Sequence, residues 1–315
     1  MHRFFSLLLL LPLLVSCGSR AARQQPAEPP VAEKQYRFAP PMPPVGMLPE
    51  EAHNYMREHY WDRLDFADTM FVYKADSGAM FQAFVQFVDL ISDRPNDPAP
   101  IRALMQRASV SRLMTDYFAS MAQTVFEDPN SPRRNDEFYI PVLEAQLAAP
   151  FYDEYERIGP QYTLDLARQN RVGARANDFR YTVASGKTAS LYGLDAEFVL
   201  LFINNPGCPM CREIREAIGA SPMLSDFIAQ GRLKVLALYP DEDLAAWRDY
   251  HSNMPASWIN AYDKGCVIRE KSTYNLSAIP ALYLLDRDKR VLVKDATEVW
   301  RIEAALMERL QAAAL

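Results

Sequence analysis

The sequence predicts an all-helical block followed by an α/β layer around one sheet, and three observations carry that prediction. Apolar residues recur at helical spacing from Pro49 to about residue 172. The period changes at Asp178, after which strand-like and helical stretches alternate, the pattern of helices packed on a sheet. Within that second part, Glu197-Phe198-Val199-Leu200-Leu201-Phe202-Ile203 is almost continuously apolar, as in a strand buried on both faces. The length of 315 residues fits about two domains.

Ahead of the helical block, Met1-His2-Arg3 precedes an apolar run from Phe4 to Val15 broken only by Ser6 and Pro12. It is shorter than the roughly 20 residues a membrane-crossing helix needs and reads as the core of a cleavable signal. Leu14-Val15-Ser16-Cys17 resembles the bacterial lipobox, which implies a signal peptide over residues 1–16 and lipid attachment at Cys17. Residues 17–44 contain Pro26, Pro29, Pro30, Pro40, Pro41, Pro43 and Pro44 with few apolar residues between them. Such a stretch favours extended polyproline geometry, so a tether is expected. Gly18-Ser19-Arg20-Ala21-Ala22-Arg23 lacks the acidic cluster that resembles a surface-export signal in Bacteroidetes lipoproteins, which points to a periplasm-facing lipoprotein of the inner or outer membrane. Later segments never approach 18 apolar residues in a row, so the lipid is the expected membrane attachment.

In the helical domain, residues 45–172, Ala52, Tyr55, Met56, His59 and Tyr60 form the first stripe, behind Pro49 and the acidic Glu50 and Glu51. Met80, Phe84, Phe87, Val88 and Ile91 form the next, ended by the breaker run Asp93-Arg94-Pro95-Asn96-Asp97-Pro98. Ile101, Leu104, Met105 and Ala108 start another helix, and Leu113, Met114, Tyr117, Phe118 and Met121 continue to the loop at 128–132. Helices near 136–148 and 160–171 complete the block, whose aromatic and methionine positions read as core.

In the second domain, residues 173–315, Phe179 to Val183, a turn at Ala184-Ser185-Gly186, and Lys187 to Leu191 read as a hairpin. After the buried strand, further strands are expected at 232–239, 257–262, 281–286 and 290–294. Helices are expected at 209–219, at 222–230 with Ser221 as N-cap and Pro222 in the first turn, and at 242–250 with Asp241 as N-cap. Val299, Ile302, Leu306 and Leu310 mark a last helix.

Composition narrows the function. With 34 Lys+Arg against 40 Asp+Glu, the net charge of -6 argues against a nucleic-acid binder. Four cysteines are too few for a disulfide-stapled scaffold, and they are unevenly placed: Cys17 and Cys266 are single, whereas Cys208-Pro209-Met210-Cys211 is a C-x-x-C. This pair follows the buried strand after Asn204-Asn205-Pro206-Gly207 and opens a helix. A cysteine there faces unpaired backbone N–H groups and the positive end of the helix dipole, which stabilise a thiolate. Cys208 is therefore the expected nucleophile. Cys211, one turn on, is the expected resolving thiol, able to displace a substrate from a mixed disulfide on Cys208. A zinc knuckle needs two more ligands, for which only Cys266 and His251 are candidates, so neither a metal nor another cofactor is expected. Cys266 reads as a small buried apolar side chain.

Asp178-Phe179, Gly186-Lys187-Thr188, Phe198-Val199-Leu200-Leu201-Phe202, Cys208-Pro209-Met210-Cys211 and Ser277-Ala278-Ile279-Pro280-Ala281-Leu282-Tyr283-Leu284-Leu285-Asp286 together resemble the TlpA/ResA-like envelope thiol-disulfide oxidoreductases. The resemblance implies an α/β thioredoxin-like C-terminal domain preceded by the all-α domain. It also implies that Pro280 is cis and lies against the pair, with the Ile279 backbone as substrate contact. Tyr60-Trp61-Asp62 and Asp65-Phe66-Ala67-Asp68-Thr69 resemble the domain of unknown function that precedes such modules in Bacteroidetes lipoproteins. The implied partners are periplasmic protein thiols and disulfides and a membrane electron donor or acceptor. Two departures stand out: ordinary thioredoxin has a buried Asp six residues before its first Cys and a Trp just before it, positions held here by Phe202 and Gly207. TlpA/ResA-like proteins can instead use an acidic residue after the next central strand, where Asp241, Glu242 and Asp243 stand at positions that equally suit the cap and solvent face of a helix, and Met210 favours a reductant or isomerase.

Two other functions compete with the oxidoreductase. A thiol peroxidase would have Thr or Ser three residues and Pro seven residues before the attacking Cys, where Asn205 and Leu201 stand. An envelope binding lipoprotein would use the helical domain for recognition and the second domain as a scaffold.

Overall fold

The computed structural model describes residues 34–313. The expected signal, the lipid site at Cys17 and most of the Pro-rich stretch lie outside the described residues. From Tyr36 onward the chain is one compact unit.

The helical part contains α1 (Pro49–His59), α2 (Met70–Lys74), α3 (Ser77–Ile91), α4 (Ala99–Ala108), α5 (Arg112–Ala122) with a π turn at Gln123–Glu127, α6 (Asp136–Ala148) and α7 (Glu154–Ala167). Its core is aromatic. Trp61 meets Phe87 and Phe118 edge-on at 5.5 and 5.2 Å, and Phe38, inside the Pro-rich stretch, stacks on it at 4.8 Å. Packing on this core thus begins before the first helix, and Tyr36 joins it against Phe71. The buried Tyr60 hydroxyl is satisfied by donating to Ala83 O at 2.9 Å.

Caps set most helix starts: Asp76 accepts from Ala79 N–H, Ser111 from Met114 N–H, and Asn135 from Glu137 and Phe138 N–H. The last helix of the block begins at Glu154 rather than at residue 160. Asp153 and Glu156 form a reciprocal capping box, and this outweighs the preference of Pro160 for a first turn, leaving that proline inside α7.

The breaker run after α3 has a structural task. Arg57, 5% exposed, donates to Ile91 O at 3.2 Å and pairs with Asp93 and Asp97. Removing one partner of a buried charged network leaves its other groups without compensation. Arg57→Ala is expected to lower stability by about 2 to 3 kcal/mol. Urea unfolding with an unchanged midpoint would contradict this.

The second part holds β1 (Arg180–Val183), β2 (Thr188–Ser190), β3 (Phe198–Ile203), α8 (Pro209–Ala220), α9 (Pro222–Ala229), β4 (Leu233–Tyr239), α10 (Leu244–Tyr250), β5 (Ile259–Tyr262), α11 (Val267–Glu270), β6 (Ala281–Asp286), β7 (Val291–Ala296) and α12 (Val299–Ala313). The sheet order is β2-β1-β5-β4-β3-β6-β7. Strands β3, β4 and β5 run parallel, whereas β6 pairs antiparallel with β3 and β7, and β1 antiparallel with β5 and β2. The hairpin turn passes through Gly186 at φ +83°, which explains a glycine there.

The apolar run of β3 has a direct explanation. Phe198, Leu200 and Phe202 enter the core shared with α8, α9 and α12, while Val199, Leu201 and Ile203 enter the core on the opposite face. A strand in the middle of a sheet covered on both sides has no polar face to alternate with. Ser221 caps α9 as expected, but α10 is capped by Asp243 instead of Asp241, because Asp241 is held by Arg269 and by Asn205.

Residues 172–176 join the two parts by running along β7: Gly173 N–H donates to Val291 O and Ala176 N–H to Lys289 O, each at 2.8 Å. This covers an otherwise open sheet edge.

Candidate active site

The geometry of the cysteine pair follows from where β3 ends. After Ile203 the chain turns through Gly207 at φ +78° and enters α8 with Cys208 as N-cap and Pro209 in the first turn. Proline costs nothing there because its missing N–H would have had no helical partner. The Cys208 sulfur is half-buried and accepts from Cys211 N–H at 3.2 Å, which is the thiolate-stabilising contact available to an N-cap. Neither thiol forms a disulfide in this structure.

Cys211 is 1% exposed. Burial first, then the adjacent Cys208 thiol, pushes its thiol up to about 12, opposed by the Asn205 backbone N–H. The two cysteines are therefore unequal: one is reachable, and the other is sealed and protonated. Opposite them is the loop entering β6. The Ile279–Pro280 peptide is cis, Pro280 is buried, and the Cys208 thiol lies 3.9 Å from Ile279 O. Cys208, Cys211, Ile279 and Pro280 are thus brought together although 71 residues separate Cys208 from Ile279.

Other candidates are placed elsewhere. Phe202 is fully buried in the core that also contains Cys211, so the packing beneath the pair is apolar. Asp241 pairs with Arg269, Asp243 caps α10, and Glu242 acts on Cys266. These acids are not among the groups acting on the Cys211 thiol. Cys266 is 5% exposed in a left-handed conformation ahead of α11, and burial raises its thiol. No group of three or more His, Cys, Asp and Glu residues suited to a metal ion exists among the described residues. Arg215, one turn beyond Cys211 on α8, donates to the Tyr250 hydroxyl of α10 at 3.1 Å, a contact that no sequence pattern announces.

A strand-to-helix turn bearing a C-x-x-C, faced by a cis-proline loop on a mixed sheet, defines a thioredoxin-like architecture, and a solved structure shares it over most of the chain. A thioredoxin-like protein from Bacteroides caccae shares 42% identity and a TM-score of 0.80, covering 86% of this chain and 98% of that one. The C-terminal domain of an uncharacterized protein from Bacteroides fragilis is 48% identical with a TM-score of 0.43, covering 44% of this chain and 98% of its own. A domain described as a possible thiol-disulfide isomerase from Cytophaga hutchinsonii is 20% identical with a TM-score of 0.40, covering 47% of this chain and 98% of that one. A family described as a domain of unknown function (DUF5106) matches residues 16–170. No curated protein matches the chain. The chain belongs to the thioredoxin-like proteins.

Proposed function

We propose that this protein is a lipid-anchored, periplasm-facing thiol-disulfide oxidoreductase that acts on envelope proteins as reductant or isomerase. The observation that carries the reading is the inequality of the two thiols: Cys208 reachable at the start of α8, Cys211 buried beside it, and the Ile279–Pro280 loop facing the reachable sulfur.

In the reducing direction the Cys208 thiolate attacks one sulfur of a substrate disulfide. The Cys208–substrate bond forms, the substrate S–S bond breaks, and the departing thiolate takes a proton. An extended substrate would pair with the Ile279 backbone at the open edge of the loop. Once Cys208 is in a disulfide, its contribution to holding the Cys211 proton is gone. Cys211 then loses that proton and attacks the Cys208 sulfur. The Cys208–Cys211 bond forms, the second substrate thiolate leaves, and two electrons have passed to the substrate. A membrane electron donor must return them. Attachment through Cys17 would keep the domain near that donor, and among the described residues no helix is long and apolar enough to cross a membrane.

The test is insulin reduction by the wild type and Cys208→Ser, together with the reduction potential of the pair. The expected result is turnover lost in Cys208→Ser and a potential nearer about −270 mV than about −120 mV, the range that separates reductants from strong oxidants. An unreactive or irreducible pair would overturn the enzyme reading in favour of a binding scaffold.

A further inference from the structure

Between the end of β3 and Cys208 lie Asn204-Asn205-Pro206-Gly207, and the fold ties down both asparagines. The buried Asn204 side chain donates to Phe202 O at 3.1 Å and to Leu238 O at 3.3 Å, which fastens the end of β3 to the end of β4. Asn205 reaches into the loop that leaves β4. Its Nδ2 donates to Asp241 Oδ2 at 2.9 Å, and Asp241 is held in turn through Oδ1 by Arg269 of α11. Asp243, two residues on, is taken up by the cap of α10.

The backbone carries this restraint to the cysteine pair. Asn205 O accepts from Cys208 N–H at 3.4 Å, which closes the turn, and the Cys208 sulfur accepts from Cys211 N–H at 3.2 Å. Printed as a path, the contacts run from Arg269 to Asp241, to the Asn205 side chain, through the Asn205 carbonyl to Cys208, and from its sulfur to Cys211. Gly207 at φ +78° lets the chain make this turn, but a glycine does not by itself hold one. A hydrogen bond weakens steeply as it loses alignment, and the N–H contact at the helix start is what favours a charged sulfur there. The Asn205 backbone N–H also opposes the rise of the Cys211 thiol, so the same residue bears on both cysteines.

We infer, on the reading of Cys208 and Cys211 as a working pair, that Asp241 held by Arg269 positions the turn ahead of Cys208 through the Asn205 side chain and so keeps the Cys208 sulfur on the Cys211 N–H, in favour of its attacking form. Asp241 is then a positioning residue. It accepts a hydrogen bond, and neither proton nor electron passes through it. Charge and anchorage predict opposite signs. A carboxylate near a thiolate disfavours it, so removing Asp241 as a mere charge would quicken reaction at Cys208. Removing it as an anchor slows that reaction, because the turn loosens and the N–H leaves the sulfur.

The experiment follows iodoacetamide alkylation of Cys208 against pH by mass spectrometry in the reduced full chain, for the wild type, Asp241→Ala, Asp241→Asn, Asn205→Ala and the double alanine variant. Asp241→Ala and Asn205→Ala are each expected to slow alkylation about threefold below the midpoint and to raise the midpoint by about half a pH unit, which is the same factor. The double variant is expected to be no slower than either, since all three lose one contact. Asp241→Asn keeps an acceptor for Asn205 without the charge and is expected to recover most of the rate. Asp241→Asn as slow as Asp241→Ala, faster alkylation in either, or profiles that superimpose on the wild type overturn the proposal. Should Asp241→Ala fail to fold, Asn205→Ala and Asp241→Asn decide it between them. Alkylation reads the thiolate whether or not insulin is reduced. The expected profiles in a protein without reductase activity would sink the activity and keep the role of Asp241.

Discussion

Cys211→Ser is expected to accumulate mixed disulfides on Cys208 with envelope proteins, whereas Cys208→Ser and the double variant accumulate none. The reason is the asymmetry of the pair. Cys208 is half-buried at the helix start, with the Cys211 N–H aimed at its sulfur, so attack on a substrate survives the loss of Cys211. Cys211 is 1% exposed and its thiol is held protonated by burial, so it cannot begin the reaction when Cys208 is gone. In the proposed mechanism its task is the second displacement, in which effective concentration replaces nucleophilicity: the target sulfur is one helical turn away. Removing it should lengthen the life of the mixed disulfide from transient to stable on a non-reducing gel, at least about a hundredfold. Equal trapping by both single variants would contradict the assignment of nucleophile and resolving thiol.

The second large effect lies far from the cysteines, where β7 meets the helical block. Asp295 is 7% exposed on its side chain, adopts φ +49°, and lies beside Arg134, whose Nη2 is 2.5 Å from Oδ2. That approach is not aligned as a hydrogen bond, and Oδ2 finds no hydrogen-bond partner among the described residues. Next to it, Lys294 pairs with Asp136 at 2.6 Å and donates to Ala167 O at 2.7 Å. Burial raises the Asp295 carboxyl to about 6, Arg134 opposes the rise, and Asp136 adds to it.

The folded state therefore holds this proton more tightly than the unfolded chain, where an aspartate titrates near about 3.9. The stability this brings is fully present below about pH 4 and is lost as pH rises through about 6, amounting to about 3 kcal/mol. Asparagine suits the left-handed backbone and carries no charge, so Asp295→Asn removes this titration without straining the turn. The unfolding free energies of Asp295→Asn and wild type should diverge by about 3 kcal/mol between pH 4 and pH 7.5, in favour of the variant at the higher pH. Carboxylates that other contacts hold below their usual range, such as Glu197 beside Arg232, titrate alike in both proteins and cancel in the difference. Parallel stability curves would show that Asp295 ionises normally in the fold.

Much of the architecture is legible in the residues themselves because it depends on local pattern. The unbroken apolar run at β3 announces a central strand, the turn through Gly186 announces the hairpin, and Ser221-Pro222 announces the start of α9. The cysteine pair is legible for the same reason, since spacing, the preceding strand and Pro209 all lie within a few residues. Where two local signals compete, the pattern misleads. Pro160 suggested a helix start that the Asp153–Glu156 capping box sets earlier, and Asp241 suggested a cap that Asp243 supplies. The short helices α2 and α11 have too few residues to display a period.

What the sequence determined by itself is thus the order of most helices and strands, the C-x-x-C that opens a helix at Cys208, and the absence of a carboxylate at the Phe202 position and of a tryptophan at the Gly207 position. The tertiary structure alone decided which distant groups meet. It brought Tyr250 to Arg215 and Asp295 of β7 to Arg134 of the helical block, and it places at the Cys208 sulfur the Ile279–Pro280 loop that the family resemblance implied there. Those encounters depend on how sheet and helices pack across tens to more than a hundred residues of chain. Local spacing holds no record of that distance, so burial and charge at these points become readable only when the fold is complete.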